Sequence, residues 1–309
     1  MKLGVMIEGQ EGIGWQEWRD IVRWTEELGF ESLWRSDHFF SLGGPKERDS
    51  LETMVSLTYA AEHSSRIRFG PLVCSMTFRH PAVLARMAAA IDQLSNGRFI
   101  LGIGAGWNLP EHEAFGINLP DVRQRLDGLE EGARVIRALF DQEPASFDGK
   151  RYQLREAHLN PKPAQSHLPI LIGGNGEKRT LRIVAQLADE WNCIALAPEV
   201  YHEKVVALEA HCEKEKRDPA TIQRSMMCSY ITNTNETELQ RLIKEREERQ
   251  RARGRLIERG GMLIGTPRQI VEQICALEDE GVDRIMMQHL TPPSREALQM
   301  VAEEIMPYV

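Results

Sequence analysis

The sequence has no apolar stretch near the roughly 20 residues needed to cross a bilayer. Its short N-terminal apolar run, residues 3–7, ends at Glu8 before a secretory core could be complete. A basic surplus is also missing. The formal charge of −8 offers no positive face to phosphate backbones or anionic lipids, so neither nucleic acid nor a membrane is expected as a partner. Cysteine is scarce and scattered: Cys74, Cys193, Cys212, Cys228 and Cys275 form no C-x-x-C pair and leave one thiol over in any full disulfide scheme. Reduced thiols in a cytoplasmic protein are the expectation. There is no convincing metal-ligand set, no G-x-S-x-G elbow and no P-loop, so no metal is expected.

What is present is enough for a large core, with 42% hydrophobic and 27% charged residues over 309 positions. One domain over residues 1–309 is expected. Short β-branched runs at 3–7, 32–37, 67–74, 99–104, 169–172, 191–196, 225–231 and 284–288 read as strands. Amphipathic stretches at 15–28, 51–62, 81–94, 122–140, 178–188, 199–214, 267–280 and 294–305 read as helices between and after them. In the first helix Trp18, Ile21, Val22, Thr25 and Leu28 share a face and Gly29 is placed to end it. The proline-rich stretch from Pro144 to Pro169 is too short for a second domain and reads as an excursion. The charged segment 236–259 reads as an exposed, solvated helix. About eight strand–helix units favour an α/β fold of the closed (β/α)8 type, with insertions, over an open doubly wound sheet.

In such a barrel the chemistry sits at the carboxyl ends of the strands. Glu8 follows the first strand, Asp37 and His38 the second, and Ser75, Met76 and Thr77 the third. The fourth ends in Gly104-Ala105-Gly106-Trp107-Asn108 and the fifth in Gly173-Gly174-Asn175-Gly176. The fifth-strand loop either brings backbone N–H groups and a helix N-terminus to a phosphate or is simply a tight turn. Gly102, Gly104 and Gly106 either admit a flat ring or permit packing inside the barrel. Asp37-His38 places a carboxylate beside a group that titrates near neutrality, suited to holding a cofactor and moving a proton, or is an ordinary surface pair. Glu111 and His112 are either a second acid or base or a solvated helix start.

Taken together, Ser36-Asp37-His38-Phe39, Thr77-Phe78-Arg79-His80-Pro81-Ala82, the segment Gly97 to Asn108, Ile172-Gly173-Gly174 and Gly265-Thr266-Pro267 resemble the luciferase-like oxidoreductases, and most of all their branch that uses the deazaflavin coenzyme F420. The resemblance runs over nearly the whole chain, but is weaker at 232–262. It implies a TIM barrel, a small organic substrate, a homodimer, and hydride transfer to or from F420, with an FMN-dependent monooxygenase and a non-catalytic flavin-binding protein as alternatives. It also implies His38 and Glu111 as catalytic candidates, and cofactor contacts from Asp37, Ser75, Met76, Thr77, Gly106, Trp107, Asn108, Gly173, Gly174, Asn175 and Gly176. A non-prolyl cis peptide under the ring is expected at Ser75–Met76.

Overall fold

The computed structural model describes residues 1–252 and 261–309. The chain begins with β1 (Lys2–Ile7), α1 (Trp15–Glu27), β2 (Ser32–Arg35), α2 (Thr53–His63), β3 (Arg68–Pro71), β4 (Cys74–Ser75), α3 (Pro81–Leu94) and β5 (Leu101–Gly104). Next come α4 (Leu109–Ala114), α5 (Val122–Asp141), the hairpin β6 (Ala145–Asp148) and β7 (Gln153–Ala157), β8 (Ile170–Gly173), α6 (Thr180–Leu187), β9 (Glu190–Ile194) and α7 (Pro198–Glu215). The last part holds β10 (Gln223–Thr232), α8 (Glu236–Ala252), β11 (Leu263–Gly265), α9 (Pro267–Asp279), β12 (Arg284–His289) and α10 (Arg295–Glu304).

Helix boundaries follow local chemistry. Trp18, Ile21, Val22 and Thr25 are buried along α1, as the 3.6-residue period requires. Pro81 opens α3 at a position where its missing N–H costs nothing. Asp121 caps α5 by accepting from the Gln124 N–H at 2.8 Å, and Thr266 and Gln269 form a capping box at α9.

The parallel strands pair in the order β3-β2-β1-β12-β10-β9-β8-β5-β4. β3 and β4 are two pieces of one interrupted strand, and the Phe69 N–H to Arg98 carbonyl (3.3 Å) and Ile100 N–H to Phe69 carbonyl (2.9 Å) bonds join β3 to the start of β5. The ring therefore closes with eight members, the expected barrel. The expected continuous strand at 67–74 is broken at Leu72–Val73, where the peptide bond is cis. The hairpin β6–β7 is the predicted excursion. Of the predicted helix 236–259, α8 accounts for 236–252, and residues 253–259 lie outside the described residues.

Met6, Trp34, Leu72, Ile100, Leu171, Met227 and Met286 fill the barrel interior, and a larger apolar layer lies between strands and helices. At the amino-terminal end Arg284, fully buried, is held by Glu190 (2.6 Å) and Glu31 (2.8 Å) and lies 5.5 Å from the Trp34 ring. The barrel is thus plugged at one end and open for function only at the other. Among the described residues no helix is long and apolar enough to cross a membrane.

Candidate active site

A cavity of about 1110 Å³ opens at the carboxyl ends of the strands. A hydrogen-bonded belt crosses four strand exits on its wall. Ser36 Oγ donates to Gln10 Oε1 (2.6 Å), Gln10 Nε2 to Glu8 Oε2 (2.9 Å), and Gln288 Nε2 to Glu8 Oε1 (2.5 Å), while the Ser229 hydroxyl donates to Gln288 Oε1. Such a belt fixes the relative positions of β2, β1, β12 and β10 at the mouth.

His38, just past β2, lies on this cavity. Its Nδ1 is 2.7 Å from Glu111 Oε2. The same carboxylate accepts from the Phe39 N–H (2.6 Å) and from Asn108 Nδ2 (2.7 Å), and Glu111 is fully buried. Burial pushes the Glu111 carboxyl up, but these bonds and the His38 charge outweigh it and hold it below the usual range. Burial likewise pushes the His38 imidazole down, and the Glu111 hydrogen bond and charge, helped by Glu8 and Asp37, carry it above its ordinary value. With its Nδ1 proton pointed at a carboxylate, the ring has Nε2 left, which has no protein partner among the described residues. The arrangement is a basic nitrogen oriented and tuned by a buried anion. The solvated-helix reading of Glu111 and His112 is excluded, since both are buried.

His112 does something different. Its Nδ1 faces the Asn108 carbonyl (2.7 Å) and so donates, leaving Nε2 to accept from Thr77 Oγ1 (2.7 Å), which in turn accepts from Ser75 Oγ (2.7 Å). This chain fixes the Ser75–Thr77 turn against α4. Gly106, at φ +76°, lies over the same turn; a Cβ there would lie 2.3 Å from Ser75 Oγ.

Asp37 lines the cavity, but Arg79 takes its oxygens at 2.5 and 3.0 Å, and the Ser75 N–H reaches it at 3.3 Å. Arg79, unweighted in the sequence, thus ties the β2 exit to the β4 exit; its place in the Thr77–Ala82 segment was the available signal. The cis bond expected at Ser75–Met76 is instead at Leu72–Val73, three residues earlier. The Ser75–Met76 link is occupied by the ladder, with the Met76 N–H on the Gly104 carbonyl (2.9 Å). The packing reading holds for Gly102, whose Cβ would meet the Pro71 carbonyl oxygen at 2.0 Å, whereas Gly104, whose Cβ would meet Val73 Cγ2 at 2.6 Å, also lines the cavity.

Of the other candidates, Ser75, Gly106, Trp107, Asn108, Gly173 and Gly174 line the cavity. Met76 does not: it is buried in the core. Thr77 stands behind Ser75 in the relay just described. Asn175 and Gly176 border a smaller recess that shares Thr180 with the main cavity. Asn175 itself bridges to β9, with Nδ2 donating to the Ile194 carbonyl (3.1 Å) and Oδ1 accepting its N–H (3.0 Å).

Two features escaped sequence reasoning. His289, at the end of β12, faces Tyr230 Oη at 3.3 Å, and burial lowers its imidazole to about 4. The expected solvated face of α8 is only part of that helix: Leu239 is buried, and Leu242, Arg246 and Arg249 line the cavity. The recurrence at 239, 242, 246 and 249 is one helical face, and that period was the missed signal. No group of three or more His, Cys, Asp or Glu side chains among the described residues is arranged to hold a metal ion.

The chain is 26% identical to an F420-dependent glucose-6-phosphate dehydrogenase of Amycolatopsis mediterranei over 94% of each chain. It is 32% identical to a protein of the same name from Kineococcus radiotolerans over 67% of this chain and 61% of that one. The coenzyme F420-dependent tetrahydromethanopterin reductase of Methanopyrus kandleri has the same fold, with a TM-score of 0.81 at 20% identity over 99% and 98% of the two chains. The luciferase-like monooxygenase family model matches residues 1–284, from β1 into β12, and with the barrel and its one open end in view the chain belongs to that family.

Proposed function

We propose that the protein is an oxidoreductase that transfers a hydride between coenzyme F420 and a small organic substrate, with His38 moving the matching proton at Nε2. The observation that carries this is the His38–Glu111 pair at the mouth of the cavity. The F420-dependent names of the two curated relatives support the cofactor.

The residues fit such a cofactor. The Leu72–Val73 bulge and Ala105 give the cavity an apolar wall for a flat ring, and Gly104 and Gly173 lie against Val73 where a Cβ would meet it at 2.6 and 3.1 Å. Gly173 and Gly174, with Thr180 beyond them, lead from the cavity to the recess where a phosphate would lie. When bound, coenzyme F420 supplies or accepts the hydride. Gly106 lies against the Ser75–Thr77 turn, the Asp37–Arg79 pair reaches that turn through the Ser75 N–H, and Glu111 keeps the His38 ring oriented and stabilises its cationic form. The imidazole then accepts a proton from an alcohol as it is oxidised, or returns one to a carbonyl in the reverse direction.

All five cysteines are free, which fits a reducing cytoplasm, and exposed Val55 and Val83 on the neighbouring helices α2 and α3 fit a homodimer face. The function is tested by following the visible absorbance of oxidised F420 during incubation with glucose 6-phosphate and with a secondary alcohol. Turnover that His38→Ala lowers by roughly 10²-fold or more is the expected result. Oxygen-dependent consumption of reduced FMN, with none of F420, would favour the monooxygenase alternative.

A further inference from the structure

α8 carries five glutamates in its 17 residues, and its outward cations use them. Arg241 pairs with Glu238 and Glu245, Lys244 approaches Glu248 at 4.0 Å, Arg251 approaches Glu247 at 3.8 Å, and Glu236 accepts from Gln240 at 2.9 Å. Arg246 and Arg249 differ. They lie one turn apart on the face that lines the cavity, and neither has a hydrogen-bond or ion-pair partner among the described residues. Two adjacent guanidinium groups at a cavity wall repel each other until an anion lies between them. On β10, against which α8 packs, Thr232 Oγ1 is buried without a hydrogen-bond partner and belongs to the same wall. A buried hydroxyl left unpaired on the same cavity wall is a donor awaiting an acceptor. The cavity's carboxylates Asp37, Glu11 and Glu111 are engaged elsewhere, with Arg79, Arg48 and His38, and Glu8 accepts from Gln10 and Gln288 in the belt.

We propose that Arg246 and Arg249, with Thr232 Oγ1, form the anchor for a phosphate group on the substrate. This rests on the oxidoreductase reading and adds the substrate class to it, a phosphorylated alcohol or carbonyl compound. Guanidinium groups suit phosphate because their paired N–H donors match its oxygens. The anchor stands above β10, separated around the ring by β12 and β1 from the β2 exit that carries His38. A substrate held by its phosphate at one wall therefore presents another part of itself to the proton-transfer site.

The same chemistry would suit the cofactor's own phosphate, and the test separates the two. Inorganic phosphate is titrated calorimetrically into the F420-loaded protein and into the protein alone, for wild type and for Arg246→Gln/Arg249→Gln, with F420 affinity measured for both proteins. Glutamine keeps helix propensity while removing the charge. Phosphate binding by wild type that weakens at least about tenfold in the double variant, with F420 affinity unchanged, is the expected result. No phosphate binding by wild type, or equal binding by both proteins, would overturn the anchor. A parallel loss of F420 affinity in the variant would assign the arginines to the cofactor and overturn the substrate assignment. Failure of wild type to bind F420 would sink the underlying reading, and is visible separately from the phosphate result.

Discussion

His38 and Glu111 are 73 residues apart in sequence, yet Nδ1 of one lies 2.7 Å from Oε2 of the other. One comes from the β2 exit and the other from the short helix after β5, so only the closed barrel unites them. The pairing makes the imidazole more basic than usual and directs its remaining nitrogen to the cavity.

His38→Ala should reduce turnover by roughly 10²-fold or more while F420 affinity changes only a few-fold, the pattern of a lost general acid–base group. Steady-state kinetics beside a cofactor titration checks both halves. Equal losses in affinity and turnover would instead mark His38 as a binding residue.

Glu111→Gln keeps the shape of the side chain and removes its charge. Alcohol oxidation needs neutral His38, so activity should rise with pH through the raised His38 value; in the variant that limb should move to lower pH, because the anion that favoured imidazolium is gone. A pH–rate profile that stays in place would remove His38 as the titrating group.

Much of this site was legible in the sequence, and the limits have physical causes. α1 and the strand exits show because amphipathic period and strand-end glycines are local features. The break at Leu72–Val73 does not, since an apolar run of β-branched residues reads the same whether or not the strand is interrupted. His38 and Glu111 both stand out as candidates, but their contact is tertiary and has no local signature. The inward face of α8 was hidden by charge, because a cavity-facing arginine and a solvated one look alike until their partners are known.

The Asp37–Arg79 pair is largely buried, with side chains 2% and 12% exposed. Asp37→Ala leaves the guanidinium without its main partner and should cost about 3 kcal/mol of stability, and it should weaken F420 binding by loosening the Ser75 turn. Denaturant melts and cofactor titration together check this; a variant with native stability and affinity would show that the pair braces nothing.

Gly174 has φ +137°, so any side chain there is strained. The informative comparison is Gly174→Asp against Gly174→Ala, which share the strain and differ in charge. Aspartate should bind F420 at least about tenfold more weakly than alanine if a phosphate lies beside the loop. Equal affinities would separate the loop from the phosphate.

His289 holds its imidazole at about 4, against an ordinary 6.5, because it is buried without a charged partner. The unfolded chain therefore takes up a proton that the folded one refuses between these values. Its contribution is fully present above pH 6.5 and is lost as pH falls toward 4, by up to about 3 kcal/mol and less where solvent in the cavity reaches the ring. His289→Gln should flatten that acid limb in chemical denaturation measured across the range; an unchanged limb would place the proton uptake elsewhere.

A cavity built for a deazaflavin is tested by a fluorescence titration of the protein with oxidised F420 and, separately, with oxidised FMN. Saturable binding of F420 at least about tenfold tighter than FMN is the predicted result. Tighter binding of FMN, or binding of neither, would rule out a deazaflavin site.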